Sequence, residues 1–377
     1  MTAVLAGDAR DTVRFSLAPE LEAHEPPEAR GLPRDGVALM VSRSASGEIS
    51  HHALAGLPGL LLPGDLLVVN NSATLPAAVT LAGPAAGLAV HFSTALPDGD
   101  WLIELRAAEA APAASPAGPA AGPLPADPAT VPYPGGAPGQ VLGLPGGARL
   151  RLLSRFSARL WRARLSAAVL PYLLRHGHPI RYSYVPRPWP ISAYQTVFGT
   201  RPGSAEMPSA SRPFTADLVT RLVARGITFA TVTLHTGVSS LEGDEDPYPE
   251  PYEVPPATAR LVNLTRRSGG RVIALGTTVV RALETAARHP RPAGTPPAGR
   301  TGPAVTASAG WTRHVVTPGT GVTAVDGLLT GLHEPRSSHL RMLAAFAPPE
   351  ELSRCYAAAA ERKYLWHEFG DLHLLLP

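Results

Sequence analysis

VIALGTTVVRALETAA, residues 272–287, is the stretch on which the fold of this chain turns. The apolar run Val272-Ile273-Ala274-Leu275 has the length of a buried strand, and helical spacing of apolar residues begins at Val279. Gly276-Thr277-Thr278 then forms a tight strand-to-helix turn. The first N–H groups of such a helix have no intrahelical acceptor, so with the two hydroxyls they offer a receptor for a carboxylate or another anion. A plain turn with a capping threonine fits the same residues. What sets the segment apart is its company: VTLHTG (232–237) before it and VDGLLTGLHEP (325–335) after it.

Outward from this junction, strand and helix alternate. Thr215 caps a helix with Leu218, Val219, Leu222 and Val223 on one face, ended by Gly226, and Ile227 to Leu234 form a β-branched strand. Pro256 opens a helix that closes at Gly269-Gly270, and Glu350 to Leu365 form the last long helix. Ser166 caps a helix through His176, with Gly177 as its stop. Earlier strands are expected at Val37 to Ser42 and at Leu66 to Val69. The alternation implies a largely parallel sheet covered on both faces. Residues 79–165 differ: short apolar runs at Leu88 to Phe92, Trp101 to Leu105, Arg149 to Leu153 and Leu160 to Leu165 suggest a small β-barrel. Residues 107–140 inside it are nearly all Ala, Pro and Gly, the composition of a mobile, disordered loop. The fold class is therefore α/β: one discontinuous domain, 1–78 with 166–377, interrupted by a barrel domain at 79–165.

At 377 residues, with 45% hydrophobic and 17% charged residues, the chain has the composition of a globular protein with a substantial core. Lys363 is its sole lysine, which leaves Schiff-base chemistry one candidate. Cys355 is the sole cysteine, so an internal disulfide is impossible and a thiolate zinc site is disfavoured. A net charge of +3 permits nucleic-acid contact without requiring it. The small arginine groups, Arg151, Arg155, Arg159, Arg162 and Arg164, then Arg181 and Arg187, fit solvated faces as well as RNA. No membrane-length apolar run or secretory signal pattern is present, so a cytoplasmic location is expected.

Three strand ends carry polar or reactive residues: His235-Thr236-Gly237, Gly276-Thr277-Thr278 and Leu332-His333-Glu334. In open parallel sheets ligands bind beyond the carboxyl ends of strands, so these three are expected to converge. Asn70 and Asn71 lie past another strand end, as ligand amides or as turn caps. The acidic, aromatic stretch EGDEDPYPEPYEVPP (242–256) is a connecting loop or a lid over a cationic ligand such as a sulfonium. Fingerprints for dinucleotides, for phosphates with a lysine, and for serine esterases are missing. His314, His333 and His339 have no partner set with metal spacing.

These residues carry a resemblance. PGDLLVVNN (63–71), AYQTVF (193–198), VTLHTG (232–237), YEVPPATA (252–259), GGRVIALGTTVVRALETAA (269–287), GW (310–311), VDGLLTGLHEPRSSHLRMLAAFA (325–347) and KYLWHEFGD (363–371) resemble, in order, the S-adenosylmethionine:tRNA ribosyltransferase-isomerase family of queuosine biosynthesis. The resemblance implies an α/β/α sandwich domain interrupted by a β-barrel. It implies transfer of the ribosyl unit of S-adenosylmethionine onto 7-aminomethyl-7-deazaguanine in tRNA, giving epoxyqueuosine with release of adenine and methionine. S-adenosylmethionine is then a co-substrate; no metal or cofactor is expected, the partners are S-adenosylmethionine and tRNA rather than a membrane, and the chain is expected to be a monomer. By the same resemblance Gly276, Thr277, Thr278 and Arg281 line the S-adenosylmethionine site, His235 and His333 are the candidates for proton transfer, Tyr194 and Gln195 lie beside the substrate base, and Glu250 is retained from the acidic loop.

The chain also departs from the family pattern. Where that reads A-A-P-T-A-G-L-H-F, residues 206–214 read EMPSASRPF, with Ser211 for glycine and Pro213 for histidine. Tyr248 replaces a histidine, Ala73 and Ala78 replace arginines, and N-F-H-L-P becomes Gly331-Leu332-His333-Glu334-Pro335. Two other functions therefore stay open: an S-adenosylmethionine-consuming enzyme of this architecture acting on a small molecule, and a catalytically silent protein that binds S-adenosylmethionine or RNA.

Overall fold

The structure is a computed structural model and describes residues 15, 17–81, 87–108, 130–238, 247–289, 304–334 and 338–377. Its nine-stranded sheet runs in the order Ser308–Thr312, Glu250–Val254, Thr228–Leu234, Leu66–Asn70, Val272–Leu275, Gly327–Gly331, Leu372–Leu376, Ala38–Arg43, Glu48–Ala53. The four strands from Thr228–Leu234 to Gly327–Gly331 are mutually parallel. Flanking strands bring antiparallel pairs on both sides, so the sheet is more mixed than its sequence suggests. The reason is local at one edge: Ala38–Arg43 returns as Glu48–Ala53 through a tight turn with Gly47 at φ +68°, and such a link allows only antiparallel pairing.

Strand alternation sorts the core into two layers. Leu66 and Val68 face a layer with Val262, Val279, Leu283 and Leu352, drawn from the helices Pro256–Arg267, Thr277–Arg288 and Pro349–Glu361. Leu67 and Val69 face the opposite layer, with Leu57, Leu218 and Leu222, the last two from the helix Ala216–Ala224. Each fully buried leucine contributes about 1.5–3 kcal/mol relative to exposure, so a strand buried on both faces is fixed firmly in register. The caps follow the sequence in part. The Thr215 hydroxyl accepts from Leu218 N at 3.1 Å, as the reading of that helix requires. Ser166 does not cap: the next helix starts later, at Val169, and the serine hydroxyl accepts from Arg149 N at 2.9 Å.

The second sheet is antiparallel, in the order Ala78–Thr80, Leu88–Ala95, Trp101–Ala108, Leu160–Leu165, Arg149–Arg155, Val141–Gly143, with Thr130–Pro132 beside Trp101–Ala108. Phe92, Trp101, Leu150 and Trp161 fill its core together with Val169, Tyr172 and Leu173 of the Val169–His176 helix. Its strand order has two ends among the described residues, so it is a half-barrel rather than a closed one. The tract expected to be loop at 107–140 is structured at both margins, where Ala107 pairs with Val131 and Gln140 accepts from Leu152 N. Residues 109–129 lie outside the described residues, as do 242–246 of the acidic stretch.

Candidate active site

The four parallel strands end on one edge of the sheet, which places Asn70, His235, Gly276 and His333 along it. Asn70 is a fastener rather than a ligand amide: its Oδ1 accepts from Ser72 N and Leu234 N, and its Nδ2 donates to Leu234 O and Thr278 Oγ1. Two neighbouring strand ends are thereby locked to the first turn of the central helix.

Gly276 is the N-cap of the Thr277–Arg288 helix at φ +91°, a left-handed conformation that favours glycine. Its own N–H is used by Leu329 O at 2.8 Å. The helix beyond it presents first-turn N–H groups at the sheet edge. Thr278 Oγ1 takes the Asn70 amide at 3.3 Å, and Thr277 Oγ1 meets His339 Nε2 at 3.0 Å. Both hydroxyls are thus already engaged and Val279 N donates to Gly276 O at 3.2 Å, so the N–H groups of Thr277 and Thr278 are the ones this turn can offer an anion. A Cβ on Gly276 would lie 3.5 Å from Ala210 Cβ, so the short helical turn Ser209–Ser211 packs directly on this turn.

His235 and His333 flank the turn from different strands. The strands that carry them are separated by three strand spacings of about 4.8 Å each. His235 Nδ1 meets Ser72 Oγ at 2.7 Å, and Ser72 in turn meets Ser204 Oγ at 2.6 Å. A Cβ at Gly203 would be 2.5 Å from the His235 ring, so glycine there makes room for the imidazole. Burial, helped by Arg201, lowers the His235 pKa. His333 stacks on His339 with ring centroids 3.6 Å apart. Desolvation, then the charges of His339 and His367, holds His333 well below the usual histidine range. Both candidates are therefore neutral at pH 7.

Arg281 and Glu250 form a buried ion pair. The other Glu250 oxygen accepts from Gly237 N at 3.0 Å, while Arg281 also donates to His314 O and Tyr248 O. The pair ties the His235-Thr236-Gly237 turn to the central helix. Tyr194 is buried beside Phe369 with ring centroids 5.2 Å apart. Gln195 clasps the backbone of Thr74, accepting from its N–H at 3.1 Å and donating to its carbonyl at 2.7 Å. Gln195 therefore reaches the site only through the short strand Ser72–Thr74, which pairs with Arg201–Ser204. Among the described residues no group of three His, Cys, Asp or Glu side chains is placed to hold a metal. No helix among them is long and apolar enough to cross a membrane.

Sequence reasoning missed a polar aromatic wall next to His333. Tyr184 stacks on His367 at 3.9 Å and on Tyr182 at 5.6 Å, and its hydroxyl donates to Glu368 Oε2 at 2.7 Å. The Tyr182 hydroxyl donates to Glu206. His367 has a left-handed backbone, φ +73°, uncommon for a non-glycine residue, and its N–H is held by Leu332 O at 3.1 Å. KYLWHEFGD was the available signal, but only folding brings it beside residues almost two hundred positions earlier.

The sequence profile of queuosine biosynthesis proteins matches residues 10–375. The S-adenosylmethionine:tRNA ribosyltransferase-isomerase of Acidiphilium cryptum is 34% identical, over 96% of this chain and 97% of that protein. The protein of the same name from Thermus thermophilus is 32% identical, over 96% and 98%. The crystal structure of the S-adenosylmethionine tRNA ribosyltransferase from Thermotoga maritima matches with a TM-score of 0.52 at 26% identity, covering 97% of this chain and 100% of that one. Profile, sequence and fold agree across nearly the full length, and the chain belongs to the queuosine biosynthesis protein family.

Proposed function

We propose that this chain is an S-adenosylmethionine:tRNA ribosyltransferase-isomerase, moving the ribosyl unit of S-adenosylmethionine onto the amine of 7-aminomethyl-7-deazaguanine in tRNA. The product is epoxyqueuosine, and adenine and methionine leave. The observation that carries this reading is the glycine-capped helix N-terminus at the tips of the parallel strands, flanked by two neutral histidines, in a chain similar to enzymes of that name throughout its length. The helix N-terminus suits the methionyl carboxylate or the ribose oxygens. The sulfonium acidifies the adjacent C5′ protons, and an imidazole that is neutral at pH 7 can take one. His235 is the better base of the two because its pKa is less depressed; in the tautomer whose Nδ1–H donates to Ser72, Nε2 carries the lone pair.

The same reading treats residues 1–78 and 166–377 as one α/β/α domain, 79–165 as an insertion, and the protein as a cytoplasmic monomer. Incubation with S-adenosylmethionine and tRNA bearing the amine-modified base should release adenine and methionine and add the epoxycyclopentane mass to the tRNA. No release with or without that tRNA would overturn the reading. Release that is indifferent to tRNA would favour a small-molecule acceptor, for which the packing of the divergent 206–214 stretch on the Gly276 turn speaks.

A further inference from the structure

Between His333 and the Gly276 turn stands an imidazole to which the proposed chemistry gives no part. His339 lies on the short helix Ser338–Leu343. Leu340 and Leu343, one helical turn apart, are buried in the same core layer as Val279 and Leu283 of the central helix. That anchorage sets His339 beside the first turn of the central helix. Two contacts then fix its ring. Nε2 lies 3.0 Å from Thr277 Oγ1, and one face stacks on His333 with centroids 3.6 Å apart and planes 20° from parallel. Burial, then the charge of Arg281 one turn further along the central helix, lowers the His339 pKa to about 4. The ring is therefore neutral at pH 7 and carries a single N–H. Gly276, Thr277 and Thr278 are half-buried residues at the tip of a fully buried strand, so a ligand can reach this turn.

We infer that His339 is a positioning residue for S-adenosylmethionine, orienting the Thr277 hydroxyl so that its hydrogen points at the ligand's carboxylate. This deepens the proposed function and rests on it. A threonine hydroxyl has one hydrogen and two acceptor lone pairs. When Nε2 of His339 is bare, it takes that hydrogen, and the hydroxyl shows an arriving carboxylate only lone pairs, which repel it. With the proton on Nε2 the ring donates instead. The hydroxyl hydrogen is then free to join the Thr277 and Thr278 N–H groups on the anion. A carboxylate at the helix N-terminus therefore selects the Nε2–H tautomer. The stack on His333 holds the ring in the plane that aims Nε2 at Thr277. His339 thus serves the ligand through Thr277 without touching it.

The test is calorimetry on the full chain at pH 7 with three ligands. S-adenosylmethionine is compared with S-adenosylhomocysteine, which keeps the carboxylate without the sulfonium charge, and with decarboxylated S-adenosylmethionine, which keeps the charge without the carboxylate. H339F retains an aromatic ring for the stack and deletes the nitrogen, whereas H339Q offers a side-chain N–H to Thr277. H339F is expected to weaken the two carboxylate ligands by about tenfold and to leave the decarboxylated one within about twofold, because a hydrogen bond to an ionised acceptor is the strong kind. H339Q should hold all three within about threefold of wild type, since it restores the donor. T277V should reproduce the H339F loss, and the double variant T277V/H339F should bind no more weakly than either alone, as expected of two changes that remove one interaction. In turnover the H339F loss should fall on KM, with kcat within about threefold of wild type. H339L takes the place of H339F should that variant fail to fold.

Unchanged binding in H339F, a loss that H339Q does not rescue, an equal loss for the decarboxylated ligand, or additive losses in the double variant would each overturn the role of His339. The binding arms need no turnover, so the two readings fail separately. Wild-type protein that releases adenine while H339F binds normally sinks the role of His339 alone. Wild-type protein that binds S-adenosylmethionine through His339 yet releases no adenine sinks the proposed reaction alone.

Discussion

At Gly203 a single hydrogen atom decides where an imidazole sits. A methyl group there would lie 2.5 Å from the His235 ring, so the ring must swing away from Ser72. Gly203→Ala is expected to cut turnover tenfold or more, since displacement by about 1 Å in a catalytic geometry costs up to two orders of magnitude. The melting temperature should move little; turnover equal to wild type would remove His235 from the chemistry. Thr278→Ala is a milder probe. It takes an acceptor from Asn70, which retains Leu234 O, so the expected stability loss is about 1 kcal/mol. His333→Ala should slow turnover far more than it lowers stability, because what its ring stacks on is another imidazole, that of His339. Steady-state rates beside thermal melts separate the two effects.

The helix Thr277–Arg288 works at both of its ends. Its N-terminus makes the candidate anion site, while Glu284, fully buried on a later turn, accepts from Thr323 N, Ala324 N and the Thr323 hydroxyl. These contacts clamp the helix to the segment leading into the strand that delivers His333. Glu284→Ala takes the acceptor from the buried Ala324 N–H and the half-buried Thr323 N–H and is expected to cost about 3 kcal/mol, measured by denaturant unfolding. Much of this element was legible beforehand: the apolar run, the glycine and the resumed helical spacing fixed strand, turn and helix because all three are local. The threonine cap at Thr215 was legible for the same reason. Ser166 misled because a serine ahead of a helix can as well close a neighbouring hairpin, and here it bonds to Arg149. The Tyr184–His367–Glu368 wall was not legible, because no local pattern records which loops a sheet brings together. The antiparallel flanks escaped for a related reason: alternation reveals burial on two faces, not the direction of the neighbour.

For the molecule as a whole, buried histidines set the response to acid. Burial lowers His339 and His367 to about 4 and His373 to about 3. Their unfolded values lie near 6.5, so the unfolded chain binds more protons below that pH and stability falls as pH drops from about 6.5 towards 4, by on the order of 3 kcal/mol for each histidine. Glu368 acts in the opposite sense: its raised pKa gives stability that is present below about 4.5 and is lost as pH rises through about 7. Burial raises Glu334 and Asp371 as well, but among the described residues eight histidines are lowered against three raised carboxyls, so acid destabilises. His373 is fully buried with Ser42 on its Nε2 and nothing on its Nδ1. His373→Leu should therefore show a smaller fall in melting temperature between pH 7 and pH 5 than wild type; an equal fall would place the acid sensitivity elsewhere. The sheet that buries this histidine also dictates how the protein must come off the ribosome. Leu39 pairs with Leu372, a partner translated more than three hundred residues later. Until then the early hairpin has an unfilled edge inside a half-finished sheet, so a nascent chain must be shielded from aggregation for most of its synthesis.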